Sequence, residues 1–187
     1  MVVSNYFPSF DEMVLPHMDA AYNLARWLMR NERDAEDAVQ EACLRAFRFF
    51  PGFRGGDARP WLMKIVRNTC YTQLRTNRPM HDATEFDENA TPRDSFTPNP
   101  EEVLLQNDSG DLLRKALEEL PVSFREVVIL RELEGMSYKE IADITGMPTG
   151  TVMSSLSRAR GRLRQVLTNL MSEDAVPGRE RIEVVSA

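Results

Sequence analysis

The chain has 187 residues, 42% of them hydrophobic and 28% charged, with a formal net charge of −6. That length holds one ordinary domain or two small ones, and the apolar share excludes wholesale disorder and collagen-like or coiled-coil compositions. No window approaches the roughly 18–20 apolar residues that span a bilayer. No basic segment followed by an apolar run opens the chain, so a cytoplasmic protein without membrane insertion is expected.

The periodic segments are all helical; no stretch alternates with period two. Ser9 and Glu12 form a capping-box pattern that opens a helix through about Met29, with Val14, Met18, Ala21, Ala25 and Leu28 as its apolar stripe. Asp34 can cap a second helix, whose buried face would carry Ala35, Ala38, Val39, Ala42, Cys43, Ala46 and Phe47. The opposite face shows Asp34, Asp37, Gln40 and Glu41, and Pro51-Gly52 ends the helix. After the loop from Phe53 to Asp57, Pro60 suits the first turn of a third helix. Trp61, Leu62, Ile65, Val66 and Thr69 make its inner side. Lys64, Arg67, Asn68, Tyr71 and Arg75 follow i, i+3, i+4 spacing on another side, as one exposed strip.

Charge is unevenly distributed. Residues 45–78 carry eight basic groups and one acid, whereas residues 79–111 carry one basic group and nine acids. The first block has the one-sided sign of a nucleic-acid contact. Residues 79–99, with Pro79, Pro92 and Pro98 and few large apolar groups, read as an acidic linker that cannot bury enough surface to order itself.

A fourth helix is expected from about residue 100 to Leu120. Ser123 with Glu126, and Ser137 with Glu140, are two further capping-box patterns, opening helices to about Glu134 and over 137–145. Gly135 stops the first of these. Gly146-Met147-Pro148 makes a turn, Thr149 can cap a last helix to about Leu170, and residues 171–187 read as a disordered tail. A short helix, a turn containing glycine and a second helix form the unit that docks in the DNA major groove. Ile141, Ala142, Val152 and Leu156 would pack it. Thr149, Thr151, Ser154, Ser155, Arg158, Arg160, Arg162 and Arg164 would face outward, and from Thr149 to Arg164 there are four arginines and no acid.

Nothing points to an enzyme, a cofactor or a small-molecule substrate. Cys43 and Cys70 stand alone, His17 and His81 join no metal-ligand spacing, and no phosphate-binding loop or nucleophile motif is present. Both cysteines read as small buried hydrophobes. The net negative charge also denies the chain long-range steering toward DNA, so the free protein is expected to bind DNA weakly and to need a large partner.

Three segments in order resemble the extracytoplasmic-function sigma factors of the sigma-70 family: DAEDAVQEACLRAF (34–47), FRGGDARPWLMKIVRNTCYTQLR (53–75) and LEELPVSFREVVILRELEGMSYKEIADITGMPTGTVMSSLSRARGRLR (117–164). The resemblance implies an all-α fold of two small helical domains. The first, residues 8–78, is of the region 2 type; the second, residues 100–170, is of the region 4 helix-turn-helix type. It further implies that Asp34, Asp37, Gln40 and Glu41 grip the coiled coil of the RNA polymerase β′ subunit. Phe53, Arg54, Lys64, Arg67, Asn68, Tyr71 and Arg75 match the elements that recognise and open the −10 promoter element, with Asn68 on a base edge and Trp61 in the core. Thr149, Thr151, Met153, Ser154, Ser155, Arg158, Arg160 and Arg162 match the reader of the −35 element, in a domain that docks on the β flap. Met153 and Ser155 depart from the pattern. They stand where relatives commonly carry basic residues, and each lost contact is worth about 1–3 kcal/mol if bidentate, leaving more to Arg158 and Arg160. An anti-sigma factor is the partner the family implies for control. Two other readings stay open at this point. One is a stand-alone helix-turn-helix regulator that binds DNA without polymerase. The other is a protein that occupies polymerase or an anti-sigma factor without initiating transcription.

Overall fold

The computed structural model describes residues 9–76 and 108–174, and every regular element among them is helical. In the first block, α1 (Phe10–Val14) opens on the expected capping box. Ser9 Oγ accepts from the Glu12 N–H at 3.3 Å and the Glu12 carboxylate accepts from the Ser9 N–H at 2.8 Å. The single helix expected through Met29 is broken, however. Pro16 lacks an N–H and its ring crowds the carbonyl one turn back. The chain therefore tightens into a 3₁₀ turn, Leu15–His17, before α2 (Met18–Met29) begins. Arg30 closes α2 in the left-handed region at φ 60°. The cap of α3 (Glu32–Phe49) is Asn31, which accepts from the Asp34 N–H at 3.1 Å, so Asp34 lies inside the first turn instead of capping it.

The inner stripe of α3 is almost all alanine: Ala35, Ala38, Ala42 and Ala46 are fully buried and Val39 nearly so. Small side chains let α2 and α4 (Ala58–Thr76) approach, and Leu24, Leu28, Leu62, Met63 and Val66 fill the space between. Phe47, expected on the buried face, is 66% exposed. It lies one residue past the end of the alanine stripe and packs edge to face with Phe10 at 5.2 Å.

In the second block, α5 (Asp108–Glu118) is followed by α6 (Val122–Val128), which runs on into a π turn over Ile129–Leu133. The π turn is closed by the Glu134 N–H on the Ile129 carbonyl at 3.0 Å, and Gly135 ends it at φ 65°. The capping box expected from Ser123 does not form. The N-cap is Pro121, and Glu126 turns elsewhere. The box at Ser137 does form and opens α7 (Tyr138–Thr145), with Gly146 at φ 75° as the left-handed stop. The Pro148 carbonyl accepts the first helical bonds of α8 (Thr149–Asp174), making Thr149 the first helical residue and not its cap. This helix outruns the expected end at Leu170 by one turn. Leu120, Ile129, Leu130, Ile141, Ile144, Val152, Leu156 and Ala159 form the core. The linker over 79–99, the helix start near 100 and the tail beyond 174 lie outside the described residues.

The chain is thus all-α, in two helical domains. They pack on each other, α6 against α2 and α7 against α4.

Candidate nucleic-acid interface

Three surfaces carry the residues singled out above. On α3, Asp37 and Gln40 are exposed, Asp34 and Glu41 half-buried, and Glu41 pairs with Arg45 at 2.8 Å. Helical spacing continues this face to Leu44, 68% exposed, and to Phe47. An acidic strip therefore borders two uncovered apolar side chains. Sequence reasoning missed Leu44, although its position four residues after Gln40 was the available signal.

The second surface begins at the loop before α4. Gly55 and Gly56 sit at φ 83° and 99°, a region that disfavours any side chain, and Asp57 Oδ1 accepts from the Arg59 N–H at 2.9 Å to start the helix. Phe53 is half-buried, its ring 4.9 Å from Trp61 and stacked on Phe50 at 6.1 Å, whereas Arg54 is exposed. Trp61 belongs to this half-buried aromatic cluster. Along α4, Lys64, Asn68 and Arg75 face outward.

Arg67 and Tyr71 do not, and the strip is not uniformly exposed. Glu126 of α6 reaches across the domain boundary. Its carboxylate accepts from Arg67 Nε at 2.5 Å and from the Tyr71 hydroxyl at 2.9 Å, while the Arg67 guanidinium lies over the Tyr71 ring at 4.3 Å. Glu126 is 1% exposed. Burial raises its carboxyl above the ordinary carboxylate range against the pull of Arg67. Burial also raises the Tyr71 phenol, with Glu126 adding to the effect. For Arg67, burial opposes the cation, but the Glu126 ion pair and hydrogen bond prevail and raise it.

A second pair of contacts flanks the first. Glu134 accepts from Arg59 Nη2 at 2.7 Å and from Asn23 Nδ2 at 2.6 Å, again joining the domains. Arg125 is wholly buried and its hydrogen bonds run to backbone carbonyls. Its guanidinium donates to the carbonyls of Leu117 at 2.8 Å, Glu118 at 3.0 Å and Leu120 at 2.7 Å, closing the end of α5, and to Trp27 of the first domain at 2.8 Å. Burial, with Arg30 nearby, pulls its pKa down to about 9, which leaves it cationic at neutral pH. The sequence reading gave none of Glu126, Glu134, Arg59 or Arg125 a role between the domains. Glu126 was hidden by its place in an S-x-x-E pattern that does not cap.

The third surface is the helix-turn-helix formed by α7 and α8. Thr149, Thr151, Met153, Ser154, Arg158, Arg160, Arg162 and Arg164 are exposed. Ser155 is 7% exposed and beside Leu156 on the packed side, so it is not part of the outer face. Arg160 is held by Glu132 at 2.5 Å, and Arg158 lies 5.7 Å over the Phe124 ring. Arg162 and Arg164 extend the basic edge.

This arrangement matches known families in both halves. Residues 13–79 match the family model for sigma-70 region 2, and residues 110–163 match that for sigma-70 region 4. The chain is 38% identical over 169 residues to the ECF RNA polymerase sigma factor SigE of Mycolicibacterium smegmatis, covering 90% of this chain and 65% of that longer protein. It is 32% identical to the RNA polymerase sigma-H factor of Pseudomonas aeruginosa, covering 88% of this chain and 89% of that one. Among solved structures, the sigma factor RpoE of Bartonella quintana, in complex with the anti-sigma factor NepR, superposes with a TM-score of 0.66 at 30% identity. That match covers 85% of this chain and 96% of the other. The chain belongs to the sigma-70 family, among its extracytoplasmic-function sigma factors.

Proposed function

We infer that the chain is a promoter-specificity subunit: it binds core RNA polymerase, reads the −10 and −35 elements and helps open the duplex, while the polymerase performs the chemistry. The observation that carries this is the outward face of α8 beside its glycine turn, where Thr149, Thr151, Ser154, Arg158 and Arg162 present hydroxyls and guanidinium groups with no acid among them. The α4 strip supplies the second reading surface. The exposed amide of Asn68 suits the edge of an unstacked base, and Lys64, Arg54 and Arg75 suit backbone phosphates. The acidic face of Asp34, Asp37, Gln40 and Glu41, with Leu44 and Phe47 beside it, is the proposed seat for the β′ coiled coil, and the second domain that for the β flap. Work in the cytoplasm and control by an anti-sigma factor complete the reading; the Bartonella relative is itself bound to one.

The test is transcription in vitro with core polymerase over a genomic fragment library, mapping start sites. Defined starts that require both components are expected, and Asn68→Ala should reduce them at least tenfold with core binding unchanged. Nanomolar binding of one duplex sequence by the chain alone in physiological salt, with no effect of polymerase, would instead establish a stand-alone regulator.

A further inference from the structure

Of the four arginines on α8, Arg160 alone is in an ion pair among the described residues. We propose that its partner, Glu132, is a positioning residue for the −35 contact: it holds the Arg160 guanidinium with its end turned outward, set to take two oxygens of one DNA phosphate. The inference rests on the −35 assignment of α8. It adds a residue outside the recognition helix that fixes how that helix meets the duplex.

Glu132 reaches Arg160 from another element, 28 positions back in the chain. It lies in the π turn that follows α6, a rare form met mostly at functional sites. One of its oxygens, Oε1, accepts from Arg160 Nε at 3.0 Å and from Nη2 at 2.5 Å. Both bonds fall on the side edge of the guanidinium, so its end, Nη1 and the outer N–H of Nη2, stays clear of the carboxylate. That end presents two parallel N–H groups, the fork that matches a pair of phosphate oxygens. Arg158 instead lies over the Phe124 ring at 5.7 Å, and Arg162 and Arg164 are exposed, so no carboxylate aims any of the three.

Arg160 stands eleven residues beyond Thr149, about 16 Å along the axis. A recognition helix reads bases with its first residues, so a cation this far along fits the backbone. The Glu132 and Arg160 side chains are each 47% exposed, and an ion pair so open to water contributes little to stability. An acid on the face turned to DNA also repels phosphates. Neither fold stability nor net charge therefore accounts for Glu132, whereas ordering does. A loose arginine gives up rotamer freedom when it docks, and one already held gives up less.

The experiment uses holoenzyme assembled from core polymerase and the full chain, as wild type and as Glu132→Ala, Glu132→Gln, Arg160→Ala and Glu132→Ala/Arg160→Ala variants. Fluorescence anisotropy gives Kd for a promoter fragment located by start-site mapping, across a salt series. Arg160→Ala should weaken binding and lower the slope of log K against log salt by about one, as for a lost phosphate contact. Glu132→Ala should weaken binding about two- to tenfold with the slope undiminished, because the cation is still present but no longer held. Glu132→Gln keeps an acceptor in the same place and removes the repelling charge, so it should bind at least as tightly as wild type. The double variant should match Arg160→Ala. Glu132→Ala and Glu132→Gln binding alike, in either direction, overturns the proposal, since the acid would then act through its charge alone. So does a Glu132→Ala loss that persists undiminished in the Arg160→Ala background, which marks a role in the fold and not in aiming Arg160. Failure of the −35 reading shows separately: replacing the −35 element would then leave wild-type affinity unchanged, and the proposal would fall with it.

Discussion

Arg125 shows how much a single side chain organises here. Four carbonyls from two domains converge on one buried cation. Replacing it with methionine would strip the guanidinium donors from those oxygens in a dry site, leaving the Leu117 carbonyl with the Leu120 N–H, at a cost of about 3–5 kcal/mol, and thermal unfolding should show the region 4 domain melting far below wild type. Arg125→Lys keeps the charge but only three donors and a single approach, so it should recover part of that loss. The two cysteines differ as sharply. Cys70 is fully buried and burial pushes its thiol up to about 12, whereas Cys43 is half-buried. Mass spectrometry after alkylation at pH 8 should find Cys43 modified within minutes and Cys70 only after denaturant is added.

Among the elements, α7 is the most self-sufficient in its local sequence. Its capping box lowers the Glu140 carboxyl through the Ser137 hydrogen bonds. A carboxyl lowered on folding contributes stability that is present above its ordinary pKa of about 4.5 and disappears as pH falls through the folded value. Glu140→Gln should therefore melt below wild type at pH 7, and the difference should shrink as pH falls below the ordinary carboxylate range. Local chemistry of this kind is what the sequence makes legible: the boxes at Ser9 and Ser137, the stop at Gly135 and the turn at Gly146 were all readable from neighbours within a few residues. Pro16 marks its break locally too, but the apolar spacing runs straight across it. The failures are of another sort. Ser123 and Glu126 satisfy the spacing of a cap, yet Glu126 is claimed by groups 55 and 59 positions away, and no local pattern carries that information. Ser155 reads as outward because it is polar itself, whereas the turn of α8 sets it on the packed side with Val152, Leu156 and Ala159.

For the whole molecule, the basic strip on α4 could be located from charge and helical spacing, its proposed −10 role only from the resemblance, and its state from neither, because that depends on how the two halves meet. The basic block was visible in sequence only as an excess of cations. In the folded chain, part of that excess is neutralised by acids from the other half, so a simple count overstates the charge offered to DNA. Salt dependence of holoenzyme binding to a promoter should expose the difference. Arg54→Ala and Lys64→Ala should each reduce the slope of log K against log salt by about one, as expected for a phosphate contact.

One dimension of the second domain extends this further. At 1.5 Å per residue, the 26 residues of α8 make an unbroken rod about 39 Å long. Its near end holds the side chains proposed to sit among the bases, and its far end, around Leu170 and Met171, lies about 30 Å further along the axis. With no proline along it to absorb a bend, a tug on that far end is felt as a swing of the near one. If the near end reads bases as proposed, whatever seizes Met171 acts on that reading without ever touching a base, as a hand on a tiller sets a rudder it cannot see.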